Sequence, residues 1–255
     1  MFAKTTSFIY NSSEFQVMKN VLVMTSTFPR WRDDTTPSFV YTLSSLLARK
    51  YRITVLAPHA FNAAPSENMG SLKVVRFRYF FPERLQKIAY GAGILPNIRQ
   101  SILAKLQIPS FLLSQIKNAG NIAKNEKIEM VHAHWIVPQG MIGVFLKKIY
   151  KIPLIVTVHG SDLFPLKNRI FLSIQRNVAE NADIITVNSQ AAFNELISRF
   201  PTARNKIVKI PMGIDTSYFK PKNVKSKFTK YGNNKIILFV GRLNEQKGVD
   251  YLIKS

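Results

Sequence analysis

The chain has no cysteine among its 255 residues. Disulfides and thiolate metal sites are therefore excluded, a usage that fits a reducing cytoplasm. Acid is scarce as well: 14 Asp and Glu stand against 36 Lys and Arg, a formal net charge of +22. Such an excess attracts nucleic acid, anionic lipid or phosphorylated metabolites at long range, and composition does not choose among them. Long apolar runs are missing too. No stretch reaches the roughly 18 residues that span a bilayer, and the first eighteen residues have scattered apolar positions instead of the continuous core of a signal peptide. The expected location is cytoplasmic, with peripheral attachment to the inner face of the cytoplasmic membrane as the alternative. There is no internal repeat, and Asp33-Asp34 is not the Asp-x-Asp pattern that holds a divalent ion on a nucleotide-sugar phosphate.

What is present is a composition 46% hydrophobic, enough to build a core. Residues 1–17 follow no period and are expected to be a flexible leader outside the fold. From Met18 onward, strand-like runs at 20–27, 52–57, 72–79, 128–132, 154–158, 183–187 and 206–210 alternate with helical stretches at 37–50, 140–150, 165–180 and 189–199. Strands apolar on both faces, each followed by a crossover helix, imply a parallel sheet covered by helices. The fold class expected is α/β, a doubly wound, Rossmann-like domain over 18–210. The segment 211–234 reads as an interdomain connection, and a new strand from Lys235 opens a second α/β domain. Only its first β–α unit, 235–255, is expected here, since closing a second core needs on the order of 100 residues more.

In an open parallel sheet, ligands bind beyond the carboxyl ends of the strands. The loop after the first strand carries Arg30, Arg32, Asp33 and Asp34; Ala133-His134-Trp135 and His159-Gly160-Ser161-Asp162 follow later strands. Near the end, Gly241-Arg242 follows a strand and Lys247 opens the next helix. A glycine there lets backbone approach a ligand, and two cations beside a helix N-terminus suit a diphosphate. The same spacing also fits a solvated turn with ordinary surface cations. His159 ends an apolar strand and is placed to donate a hydrogen bond to a sugar hydroxyl or to charge on a departing group; a purely structural histidine fits that position as well. His132 and His134 share a strand face, but no third ligand is spaced to join them around a metal.

Between Arg84 and Asn125 there is no acidic residue, while cations such as Arg84, Lys87, Arg99 and Lys105 are interleaved with apolar side chains. This suits an amphipathic element on an anionic membrane, and equally a helical surface whose apolar residues are core.

Taken together, VGRLNEQKGVDYLI, IPMGID with Phe219 and Pro221, VHAHWIVPQG, PLIVTVHGSDLF and TSTFPRWRDDTTPSFVYTLSSLLA resemble the family-four retaining glycosyltransferases, whose GT-B fold has two facing Rossmann-like domains. The resemblance implies transfer of a sugar from a nucleotide-sugar donor with retention of configuration, no cofactor and no essential metal. It implies that Gly241, Arg242 and Lys247 hold the donor diphosphate, that His159 is the catalytic-side histidine lining the donor sugar, and that the N-terminal domain binds a lipid-linked or polysaccharide-precursor acceptor, with Arg30, Trp135 and Asp162 on that side. Two departures stand out. Thr36-Pro37-Ser38 occupies a stretch where relatives often carry a glycine pair, and the acidic motif of the second domain, two glutamates separated by seven residues, is not in the sequence. The expectation is a fragment that binds donor poorly alone. The alternatives are a non-catalytic, membrane-bound acceptor-binding subunit of a split transferase and a basic nucleic-acid-binding protein; against the latter, the cations are spread along the chain and no nucleic-acid-binding signature appears.

Overall fold

The computed structural model describes residues 18–214, 216, 217, 219–221, 232, 234–241, 243 and 247–255. The expected leader and most of the expected connection lie outside the described residues. The chain divides into two compact units after Ile214.

The first unit is built on one eight-stranded sheet in the order β3-β4-β2-β1-β5-β6-β7-β8. Its strands are β1 (Asn20–Met24), β2 (Arg52–Pro58), β3 (Ser66–Met69), β4 (Leu72–Phe77), β5 (Met130–His134), β6 (Leu154–Val158), β7 (Ile184–Val187) and β8 (Ile207–Lys209). Every neighbouring pair is parallel except β3 and β4. The helices are α1 (Phe39–Leu47), α2 (Ile94–Gln100), α3 (Ile102–Leu106), α4 (Ile108–Asn125), α5 (Met141–Tyr150), α6 (Arg169–Asn181) and α7 (Gln190–Arg199). This is the mixed α/β, Rossmann-like sheet that the alternating pattern predicts.

Where boundaries differ, local chemistry explains the difference. β1 stops at Met24 because the Thr25 hydroxyl donates to the Thr27 carbonyl and accepts from the Thr27 amide, an alternative to the ladder. β5 begins two residues late, since the chain is still leaving α4: Lys127 has φ 48° and the Ile128 amide returns to Ala123 O. α6 starts at Arg169, not at Pro165, because the Asn168 side chain caps it by accepting from Phe171 N. β3 gave no apolar signal. It is a short polar edge strand, SENM, joined to β4 by a turn with Gly70 at φ 61°.

Two apolar clusters flank the sheet. On one side α4, α5, α6 and α7 cover Leu22, Leu56, Val131, Ala133, Val156 and Ile185; on the other α1 covers Val21, Val23, Ile53 and Val55. Gly143 of α5 is a close-approach position, because a Cβ there would lie 2.5 Å from a Leu154 methyl carbon.

The second unit departs from the expectation. The strand expected from Lys235 does not form; residues 235–240 have no strand, and Val240 is 85% exposed. A strand exists only as a hydrogen-bonded partner of another, and the described residues of this unit offer it none. A helix does follow, α8 (Val249–Lys254).

Candidate functional site

The strand order reverses at the β1/β5 boundary, with β2 and β4 on one side and β6, β7 and β8 on the other. Such a switch point opens a crevice beyond the carboxyl ends of the strands. Three segments converge there: residues 25–37 after β1, Trp135 and the π-helical turn Ile136–Gly140 after β5, and residues 159–166 after β6.

Trp135 leaves β5 at φ 76°, its amide donating to Thr157 O at 2.8 Å. Its ring lies 4.6 Å from that of His159 and 6.0 Å from Phe39, while Phe39 is 5.1 Å from His159. The first residue of α1 thus roofs the histidine at the end of β6. Phe39 was not singled out from sequence, because its role depends on α1 lying over the strand ends.

His159 belongs to a stack of three histidines. Alternation along β5 puts His132 and His134 on one face, ring centroids 4.4 Å apart, and His134 lies 5.3 Å from His159 at an interplanar angle of 21°. His134 Nδ1 and His159 Nε2 are hydrogen-bonded at 3.0 Å. At the far end His132 Nε2 bonds Thr157 Oγ1 at 2.8 Å, which bonds Thr186 Oγ1 at 2.6 Å. Burial pushes the imidazoles of His132 and His159 down to about 4 and that of His134 well below the usual range, so all three are neutral at pH 7. The sequence offered a signal, His-x-His on a strand, but the link to His159 required the parallel pairing of His134 with Thr157.

Asp162, expected on the acceptor side, is 2% exposed and faces backbone instead. Its carboxylate accepts from Ile136 N at 2.5 Å and His159 N at 3.0 Å. It thereby ties the turn after β5 to the loop after β6. Burial outweighs these bonds and pushes its pKa up to about 6. Its role in this structure is to hold the crevice wall in shape.

Arg30 is also committed. Its guanidinium grips Asp34 with two bonds of 2.9 and 2.8 Å, and its carbon lies 4.3 Å from the Trp31 ring centre. This pairing holds the Asp34 carboxyl well below the usual carboxylate range, so Asp34 serves the loop's shape. The buried Arg76 of β4, which sequence reasoning passed over, donates to Pro29 O at 2.9 Å and anchors the same loop.

In the second unit, Gly241 and Lys247 are exposed, and Lys247 precedes α8 by two residues. Arg242 lies outside the described residues. Among the described residues no group of three or more His, Asp or Glu side chains is placed to hold a metal ion. A separate cleft of about 630 Å³ lies at the opposite, amino-terminal ends of β1, β2 and β4. Three of its polar side chains are committed to one another, Glu126 taking Lys73 at 2.7 Å and the Thr54 hydroxyl at 2.5 Å. The chemistry therefore points to the switch-point crevice.

A doubly wound sheet with a ring-lined crevice at its switch point defines a Rossmann-like α/β domain with a candidate ligand site. The model of "Glycosyltransferase Family 4" matches residues 37–218. The chain is 31% identical over 188 residues to an uncharacterized glycosyltransferase of Methanocaldococcus jannaschii, covering 72% of this chain and 49% of that one. It is 26% identical over 190 residues to a D-inositol 3-phosphate glycosyltransferase of Corynebacterium glutamicum, covering 68% and 44%. This chain belongs to glycosyltransferase family 4. It spans about half the length of the curated relatives it matches. Among solved structures, the catalytic domain of starch synthase IV from Arabidopsis thaliana, bound to ADP and acarbose, superposes with a TM-score of 0.52 at 11% identity, covering 78% of this chain and 52% of that one. A glycosyltransferase from Rickettsia africae gives 0.51 at 12%, covering 89% and 51%. These two likenesses concern the fold.

Proposed function

We propose that the switch-point crevice is the acceptor-side wall of an active site that moves a sugar from a nucleotide-sugar donor to a lipid-linked or saccharide acceptor, with retention of anomeric configuration and without an essential metal. Family membership supports the reaction class. The observation that carries the assignment to this crevice is His159, a neutral imidazole held between Phe39, Trp135 and His134 at the end of β6. A neutral imidazole at such a place donates one hydrogen bond to a donor hydroxyl or to charge growing on the departing oxygen, and takes no proton from water at pH 7. Arg242 and Lys247 are the cations assigned to the departing diphosphate, with Gly241 letting backbone approach it closely.

The test is a sugar-transfer assay. With a donor-binding half supplied, His159→Ala is expected to lower kcat by about 10²- to 10³-fold, the usual cost of one donor to developing charge. The 255-residue polypeptide alone is expected to turn over far more slowly than with that half. An unchanged rate in the His159→Ala protein would replace this reading with that of a non-catalytic acceptor-binding subunit.

The acceptor side also supports contact with an anionic membrane. The acid-free segment divides in the structure. Ile88, Ala104 and Phe111 are core, while Ile102 and Leu106, one turn apart on α3, are 76% and 72% exposed. Leu113 is exposed as well, and Arg84, Lys87, Arg99 and Lys105 lie in the same segment. Among the described residues no helix is long and apolar enough to cross a membrane, so any attachment through these helices is interfacial. The chain is expected to float with phosphatidylglycerol vesicles. Replacing those four cations with Glu is expected to abolish flotation, and a charge-reversed protein that still floats would refute the attachment.

A further inference from the structure

The two histidines of β5 have no part in the proposed chemistry, yet one of them bonds the group that does. His134 Nδ1 and His159 Nε2 lie 3.0 Å apart. Between two neutral imidazoles one nitrogen must donate and the other accept. Two arrangements satisfy this bond. In the first, His134 carries its proton on Nδ1 and His159 accepts. In the second, His159 donates from Nε2, and the His134 proton moves to its own Nε2. That atom is buried and has no hydrogen-bond partner among the described residues. A buried N–H without an acceptor is rarer in folded proteins than an unfilled acceptor, and it forfeits a hydrogen bond that water would have supplied.

The stack gives His134 little freedom to choose otherwise. Its ring is fully buried between those of His132 and His159. His132 is itself anchored through Thr157 to Thr186. On the His159 side, Asp162 holds the backbone amide, and Phe39 and Trp135 hold the ring. His159 Nδ1 has no hydrogen-bond partner among the described residues.

We infer that His134 is a positioning residue: it donates from Nδ1 to His159 Nε2 and so fixes His159 in the tautomer that carries its proton on Nδ1. His159 then offers the crevice a single neutral N–H and no free basic nitrogen. The ligand atom it suits is an oxygen acceptor, a sugar hydroxyl or a phosphate oxygen, and a role as general base is closed to it. The functional meaning of this bond rests on the reading of His159 given above; the tautomer itself does not.

The experiment is a long-range proton–nitrogen correlation spectrum of the chain labelled with ¹⁵N-histidine at pH 7, where protonated and bare ring nitrogens are separately resolved. His159 is expected to show a protonated Nδ1 and a bare Nε2. His134→Asn, whose side-chain amide falls near the position of Nδ1, is expected to keep that pattern. His134→Phe keeps a ring but has no donor, and is expected to turn His159 into a mixture richer in the Nε2-protonated form. A proton on His159 Nε2 in the unsubstituted protein, or an unaltered pattern in a folded His134→Phe protein, would overturn the inference. If His134→Phe does not fold, the spectrum of the unsubstituted chain decides alone. With a donor-binding half supplied, His134→Phe is expected to lower kcat by tenfold or more and His134→Asn to restore it. Loss of transfer in His159→Ala together with the reversed tautomer would sink the His134 role and leave the functional reading standing; the expected tautomer with undiminished transfer in His159→Ala would do the opposite.

Discussion

Asp162→Ala is expected to destabilise the first unit by about 3 kcal/mol, because it removes the shared acceptor of Ile136 N and His159 N and leaves buried donors unpaired. The loss is read as a lower urea midpoint with an unchanged slope. Asp162→Asn is expected to be little better, since its amide keeps one acceptor but turns a second donor toward backbone N–H groups. A midpoint within experimental error of the parent in Asp162→Ala would show that the two loops hold each other without the carboxylate. The charge on Asp162 has the opposite sign of effect. Its pKa is raised by burial to about 6, above the ordinary value of about 3.9, so the folded state holds the proton more tightly than the unfolded one. The cost of burying the carboxylate, about 3 kcal/mol at roughly 1.4 kcal/mol per pKa unit, is therefore present above about pH 6 and relieved as pH falls toward 4.

Acid is nonetheless expected to unfold the chain, through its histidines. His132 and His159 are held at about 4, against about 6.5 for an unfolded imidazole. As pH falls below 6.5 the unfolded state takes up protons that the folded stack refuses. Stability is full above about 6.5 and is lost progressively until the folded pKa is reached near 4. Each contributes on the order of 3 kcal/mol, and His134, depressed further, adds to them. The relief at Asp162 offsets one histidine and not three. A net loss of at least about 3 kcal/mol between pH 7 and 4.5 is a large part of a domain stability of roughly 5–15 kcal/mol. Urea titrations across that range check it. His132→Gln, which keeps an amide near Nε2 for Thr157 and cannot titrate, is expected to flatten the slope. A parent profile that is level from pH 7 to 4.5 would contradict the buried, neutral state of the stack.

Most of the sheet was readable from local pattern. Apolar runs bounded by turn residues marked β1, β2, β4, β6, β7 and β8; in β1, β2 and β6, buried on both faces, a parallel strand needs such a run whatever surrounds it. β3 escaped because an edge strand is stabilised by its partner and not by its own side chains. The strand expected from Lys235 failed for the related reason that an apolar run is only a potential strand until a neighbour pairs with it. Among site residues, His159 was legible as a polar residue at a strand end. Arg30 and Asp162 were legible only as charged residues near the crevice, and their partners, Asp34 and two backbone amides, turned them from ligand-facing groups into fixtures of its wall.

By itself, then, the sequence determined the α/β class, the family and the strand ends at which a site would lie, since all three follow from residues close together in the chain. The tertiary structure decided which of those residues are free to act. His134 reaches His159 only because β5 and β6 run side by side in a particular register, and Asp162 is spent only because the turn after β5 folds back onto it. Hydrogen bonds between distant segments carry no local signature, so no reading of neighbouring residues could have assigned them.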